Sequence, residues 1–268
     1  MANWGYTKVD GPDTWENIAP AAKGHKQSPI DIQPAKAQYD ASLKDKPFQV
    51  SYTAGNAKTI TNNGKSITMA YDVSGSSLTG GPLSNKFQLA QFHFHWGSDS
   101  SRGSEHRVNG HMYASELHLV HANLEQYPTV PEAMQGDNGL CVLGVFLKPG
   151  KAHKGFQRVI DLAKRIPYNG DTTEVVGGYD PSILLPEDQS KYWTYSGSLT
   201  TPPCWESVNW VVFKDPIEVS EDQLNELRAL HSHKKEEPAP RNEFGGKIVE
   251  NYRPPLAQGS RTLRASFQ

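Results

Sequence analysis

Three histidines carry the first chemical signal in the chain. His93 and His95 stand at i and i+2 in Phe87–Trp96 (FQLAQFHFHW), whose alternation reads as a β-strand. Side chains two apart on a strand point the same way, about 6–7 Å apart along the backbone, so both imidazoles can reach one ion. His118 follows 23 residues after His95 in a second alternating segment, Ser115–His121 (SELHLVH). Three neutral imidazoles with an open fourth position are the ligand set of a catalytic rather than a structural Zn2+. Gln91 shares a face with His93, and Glu116 with His118, so each can accept its neighbour's outward ring N–H and fix the tautomer. A His-x-His pair in a strand is equally compatible with ordinary packing. Spacing alone leaves His106, His111 and His121 open for the third position.

The elements that must position these residues are mostly strands. Leu140–Leu147 (LCVLGVFL) and Ser207–Phe213 (SVNWVVF) are nearly all apolar, as expected of central strands covered on both sides. In Gly155–Ile166, Phe156, Val159, Ile160 and Ala163 recur with helical spacing. In Ser220–Leu230, Ser220 and Gln223 form a capping box ahead of a Leu224, Leu227, Leu230 stripe. Gly, Pro, Asn and Ser clusters punctuate the rest, and the polar His231–Asn242 stretch reads as a solvated loop. No repeat or linker divides the chain, so residues 1–268 are expected to form one mainly β (α+β) domain.

The 27 Lys and Arg against 29 Asp and Glu leave a net charge of −2, which gives no electrostatic case for nucleic acid or an anionic membrane. Nothing approaches the roughly 18 consecutive apolar residues that span a bilayer, and residues 1–15 lack the apolar stretch of a secretory leader. Cys141 and Cys204 are too few for a disulfide framework. A cytoplasmic protein is expected, acting on a small molecule and not on nucleic acid or membrane.

FHFHWGS (Phe92–Ser98), GSEH (Gly103–His106), ELHLVH (Glu116–His121) and YWTYSGSLTTPP (Tyr192–Pro203) resemble α-class carbonic anhydrases. So do WGY (Trp4–Tyr6), QSPIDI (Gln27–Ile32), LTGGPL (Leu78–Leu83), GVFLK (Gly144–Lys148) and RPPL (Arg253–Leu256), in order along nearly the whole chain. The resemblance implies a large, twisted, mostly antiparallel sheet with short peripheral helices, and sulfonamide-inhibited hydration of CO2 to bicarbonate by zinc-bound hydroxide. It makes His93, His95 and His118 the zinc ligands, Gln91 and Glu116 their supports, and His106 and His121 structural. Thr200 and Glu105 resemble the hydroxyl–carboxylate pair that orients the hydroxide. Val120, Val142, Leu199 and Trp210 would wall the CO2 pocket with Val208 behind and Thr201 alongside. Two rivals use the same residues: a non-catalytic binding module, whose relatives typically lose zinc histidines retained here, and a zinc esterase.

Three further expectations follow from the resemblance. Ser28–Pro29 and Pro202–Pro203 match cis peptide positions. Secreted relatives pair the cysteine at the Cys204 position with one that is Ala22 here, so both thiols should be free and the enzyme a cytosolic monomer. Fast relatives carry a proton-shuttling histidine where this chain has Lys65, after Asn62, Asn63 and Gly64. A lysine near 10.4 has only about one molecule in a few thousand ready to accept a proton at pH 7, against a histidine near 6.5. Tyr6, Asn63, Thr68 and Thr201 could order a water chain, but none is a good base at neutral pH.

Overall fold

The computed structural model describes residues 4–268, so Met1–Asn3, the start of the stretch read for a leader, lie outside it. The strands that matter for the site are β1 (Ala57–Asn62), β2 (Ile67–Tyr71), β3 (Phe87–Trp96), β4 (Ser115–Ala122), β5 (Leu140–Pro149), β6 (Tyr192–Gly197) and β7 (Val208–Phe213). They form the middle of a 13-stranded sheet in the order Thr172–Glu174, β1, β2, β3, β4, β5, β7, β6, Arg264–Ala265, Gln38–Tyr39. Pairing is antiparallel throughout that path except between β5 and β7 and between Arg264–Ala265 and Gln38–Tyr39. The one parallel pair among the long strands joins the two nearly all-apolar runs. Strands buried on both faces need no polar alternation.

Parity along the strands sorts the side chains into two layers. Phe92, Phe94, Leu117, Leu119, Leu143, Val145 and Val211 face one side, where they pack with helix α1 (Lys154–Ala163) and helix α2 (Glu221–Arg228). Val120, Val142, Phe146, Tyr195, Val208, Trp210 and Val212 face the other. His93, His95 and His118 share the second face, away from the helices. The apolar stripe of α1 (Phe156, Val159, Ile160) is buried on the first layer, and His153 caps its N-terminus by accepting the Phe156 N–H at 3.2 Å. Both helices end a turn or less before the residues the periodicity suggested, where the chain already turns away. Neither is long and apolar enough to cross a membrane, nor is any other helix among the described residues. The expected cis peptides are present at Ser28–Pro29 and Pro202–Pro203. Cys141 and Cys204 are free and buried.

The capping box of α2 is formed in full: Gln223 N–H donates to Ser220 Oγ at 3.2 Å, and Ser220 N–H donates to Gln223 Oε1 at 3.0 Å. Gln223 also ties α2 to α1 through the His153 carbonyl and Gln157, so the cap is a tertiary joint as well. Ser220→Ala should cost about 1 kcal/mol of stability, the usual worth of such a cap. A urea midpoint unchanged from the parent would show that water satisfies the freed N–H equally well.

Candidate metal centre

The antiparallel register of β3 against β4 sets His93 opposite His118 and His95 opposite Glu116. Opposed residues on one face bring Cβ atoms to about 5 Å, so the three rings converge without any loop having to place them. Ring centroids lie 5.0 Å (His93–His95), 5.3 Å (His93–His118) and 4.6 Å (His95–His118) apart. One nitrogen from each falls within 4.8 Å of the other two, a group that could hold a metal ion.

Each ring is held from outside by an acceptor. His93 Nδ1 lies 2.9 Å from Gln91 Oε1, His95 Nδ1 2.7 Å from the Asn251 carbonyl, and His118 Nε2 2.7 Å from Glu116 Oε1. A carbonyl or carboxylate only accepts, so these nitrogens carry the protons. The lone pairs are then left on His93 Nε2, His95 Nε2 and His118 Nδ1. His95 Nε2 is buried with no hydrogen-bond partner. An orphaned buried lone pair facing two more is what a metal ion removes, and this donor set fits Zn2+.

Burial pushes all three imidazoles below their usual pKa, His95 to about 3, and each other's charge adds to the effect at His93 and His95. Burial thus favours the neutral form of each, the form that binds metal. Burial alone would raise Glu116, but His106 and His118 more than reverse it and hold the carboxyl well below its ordinary range.

The cleft above the rings has a volume of about 160 Å³ and is lined by Gln91, His93, His118, Val120, Val142, Leu199, Thr200, Thr201 and Trp210. Val208 shares Trp210's face of the sheet but does not line the cleft. Glu105 is fully buried beside the cluster, with its Oε1 accepting the Arg253 N–H at 2.8 Å. Burial and the Glu116 charge push Glu105 well above the ordinary carboxylate range, and the Thr200 hydroxyl and the Arg253 N–H offset this only in part. Its Oε2 makes no hydrogen bond of full geometry, so Thr200 and Glu105 are neighbours here rather than a closed pair.

Two expected members lie elsewhere. Lys65 and Tyr6 line a separate, more polar cavity with Trp4, and the Lys65 ammonium rests 4.8 Å above the Trp4 ring. His106 and His121 are satisfied structural groups. His106 bridges Glu116 Oε1 at 2.7 Å and the Tyr195 hydroxyl at 2.6 Å. His121 meets the Tyr52 hydroxyl at 2.7 Å and the Cys141 carbonyl at 3.2 Å. The supporting roles of Asn251 and Arg253 had no sequence signal, because each meets its partner at the site through a backbone group in an irregular segment.

A sheet of this topology with three imidazole lone pairs converging below an apolar cleft defines a site suited to metal-assisted chemistry on a small, weakly polar molecule. The chain belongs to the eukaryotic-type carbonic anhydrase family, whose sequence profile matches residues 10–267. It is 45% identical over 268 residues to carbonic anhydrase 1 of Mus musculus, covering 99% of both chains. To carbonic anhydrase 3 of Homo sapiens it is 43% identical over 267 residues, covering 99% of this chain and 98% of that one. The chain is thus similar to two differently numbered relatives to almost the same degree.

Replacing His93, His95 or His118 by Ala should abolish tight zinc binding, whereas His121→Ala should chiefly lower stability. Zinc stoichiometry after dialysis checks this, and equal loss at His121 would refute the ligand assignment. Acid sensitivity follows from the same burial. His121, pushed down to about 4, stays neutral in the fold while the unfolded imidazole, near 6.5, takes a proton. Stability of the metal-free protein should fall as pH drops from about 7 to about 4. A flat series of urea midpoints across that window would contradict the assignment of a neutral His121.

Proposed function

We propose that the chain hydrates CO2 reversibly at a Zn2+ ion held by His93, His95 and His118. The observation that carries this reading is the set of outer acceptors, which aims three lone pairs at one point below an apolar cleft. Bound there, Zn2+ lowers the pKa of water from about 15.7 to roughly 7, a value established for this very class of enzyme rather than derived from this chain.

The remaining work falls to the protein's own residues. Thr200 can accept a hydrogen bond from the attacking water only if its own hydroxyl proton points to another acceptor, and Glu105 is the buried acceptor beside it. The Arg253 N–H holds that carboxyl in place; burial favours its neutral form, and the positive charge of a loaded site would be what draws it toward the ionised one. Val120, Val142, Leu199 and Trp210 offer CO2 a dry wall with no polar group to satisfy, which suits an apolar, linear substrate. Leu199 leaves that pocket open, and Thr201 lies at its edge.

Proton export is the weak step in this reading. Burial lowers the Lys65 pKa and Asp10 opposes the shift. The side chain is an ammonium over an indole, a poor acceptor at neutral pH. A reducing, cytoplasmic setting suits the two free buried thiols. Residues 1–268 are read as one monomeric domain, since strands from Gln38–Tyr39 to Arg264–Ala265 join one sheet.

Turnover should be limited by proton transfer and rise with imidazole-type buffers. Lys65→His should raise it severalfold with zinc affinity unchanged, as read by stopped-flow CO2 hydration with and without chelator. High, buffer-independent turnover that Lys65→His leaves unchanged would overturn the limitation, and zinc binding without turnover would overturn the function.

A further inference from the structure

Residues 232–246 form a loop that leaves and rejoins the body of the protein at one place. Its base is an antiparallel bridge between His231 and Lys247. The Ser232 N–H donates to the Gly246 carbonyl at 2.8 Å, and the Ile248 N–H to the Leu230 carbonyl at 2.9 Å. Beyond the base, the loop bonds largely to itself, as from the Glu237 N–H to the Lys234 carbonyl and from the Gly245 N–H to the Asn242 carbonyl. It reaches the body through the Asn169 N–H on the His233 carbonyl at 3.0 Å and the Lys8 N–H on Glu243 Oε1 at 2.6 Å. A segment tied this sparsely belongs to the low-stability end of a fold. Glu237, Pro240, Asn242 and Phe244 make it one wall of the polar cavity of about 340 Å³.

The base also carries a tie between side chains. Lys247 Nζ donates to the Ala229 carbonyl at 2.8 Å and lies 3.1 Å from His231 Nε2. An ammonium only donates, so Nε2 accepts and the ring proton sits on Nδ1. That Nδ1 is buried without a hydrogen-bond partner among the described residues. Tyr168 stacks on the ring with centroids 4.5 Å apart and planes 17° from parallel, which holds the plane of the imidazole. An imidazole protonated at Nδ1 takes a second proton only at Nε2, the atom that receives the ammonium. Acid therefore turns the acceptor into a donor and sets two positive charges against each other.

We propose that the His231–Lys247 contact is an acid-released latch on this loop, an inference that does not depend on the CO2-hydration reading. The proton adds to His231 Nε2, the Nδ1–H stays, and Lys247 leaves the ring still charged. No other covalent bond forms or breaks, and the proton returns to solvent when the pH rises. Burial, Lys247 and then His233 hold the His231 pKa below its ordinary value, and no carboxylate offsets them. In the wall of the adjoining cavity Lys65 adds like charge, Asp10 and Glu237 add the opposite, and Lys234 pairs with Glu237 at 3.9 Å. With the loop open, the imidazole returns toward about 6.5. The closed loop is thus favoured above that pH and loses ground as the pH falls below it.

The test is amide hydrogen exchange on the zinc-loaded full chain, corrected for the intrinsic pH dependence of exchange. Protection at the Ser232 and Ile248 N–H groups should fall severalfold from about pH 7.5 to about pH 5, while the core amides of β4 hold. His231→Gln sets a non-titrating acceptor near the place of Nε2, and Lys247→Met removes the opposing charge. Each should make protection at the base flat over that range, and Lys247→Met should raise the His231 titration midpoint read by NMR. Nitrogen-detected NMR of the parent above pH 8 should show His231 protonated at Nδ1. Protection in the parent that ignores pH, a pH dependence surviving in either variant, an equal fall across β4, or a neutral His231 protonated at Nε2 would each overturn the proposal.

Discussion

Everything at the metal centre hangs on one buried carboxylate. Glu116 is fully buried, and an ionised group there costs several kcal/mol unless its lone pairs are satisfied. They are satisfied four times over. Oε2 accepts the backbone N–H of Glu105 at 2.9 Å and of His106 at 2.8 Å; Oε1 lies 2.7 Å from His106 Nδ1 and 2.7 Å from His118 Nε2. An ionised carboxylate has about four acceptor positions and no donor, so the set is complete. The His118 tautomer is thereby fixed, with Nδ1 turned inward. The same bonds clamp the chain at Glu105 and His106, which delivers the Glu105 side chain to Arg253 and Thr200. One ion thus orients a candidate ligand and a candidate water-orienting residue at once. Gly144 makes room for it: a Cβ there would stand 3.2 Å from Glu116 Oε1, close enough that the carboxylate would have to give.

The sheet supplies the stiffness this arrangement needs. His93, His95, Gln91, Glu116 and His118 all sit on two adjacent long strands in the middle of the sheet, where neither strand is an edge. The opposite face is packed against both helices, so the strands cannot shift without opening that core. Asn251 adds the cross-tie. Its carbonyl takes His95 Nδ1, its Oδ1 accepts the Trp96 N–H at 2.7 Å, and its Nδ2 donates to the Lys65 carbonyl at 2.7 Å. One residue thus ties His95, Trp96 and the Lys65 turn together.

What was legible in the sequence follows from range. Strand parity is local, so Gln91 with His93 and Glu116 with His118 could be paired from spacing, and the structure has both contacts. The capping box of α2 spans only four residues, Ser220 to Gln223, and was equally plain. The choice of His118 over His106, His111 and His121 was not local; it depends on which strands pair and on where each ring's outer nitrogen finds an acceptor. Asn251 and Arg253 were out of reach altogether. They meet His95 and Glu105 through a backbone carbonyl and a backbone N–H, groups that every residue but a proline offers, 156 and 148 positions away from those partners. The motif containing Arg253 stood out, but nothing in it told which atom would matter.

Under the proposed function, the same geometry separates chemistry on CO2 from export of a proton. The wall of Val120, Val142, Leu199 and Trp210 carries no titrating group of its own, since a charge among those side chains would cost desolvation. Lys65 lies in a separate, more polar cavity. That residue is anchored by its backbone: its N–H donates to Asn63 Oδ1 at 3.0 Å, and its carbonyl accepts from Asn251. Its side chain contributes a contact with Trp4 and no hydrogen bond to the histidine cluster. Position 65 is therefore a site where the side chain can change from base to ammonium while the turn, Asn251 and His95 stay where they are. In the proposed reading, hydration and proton release are therefore set by different side chains.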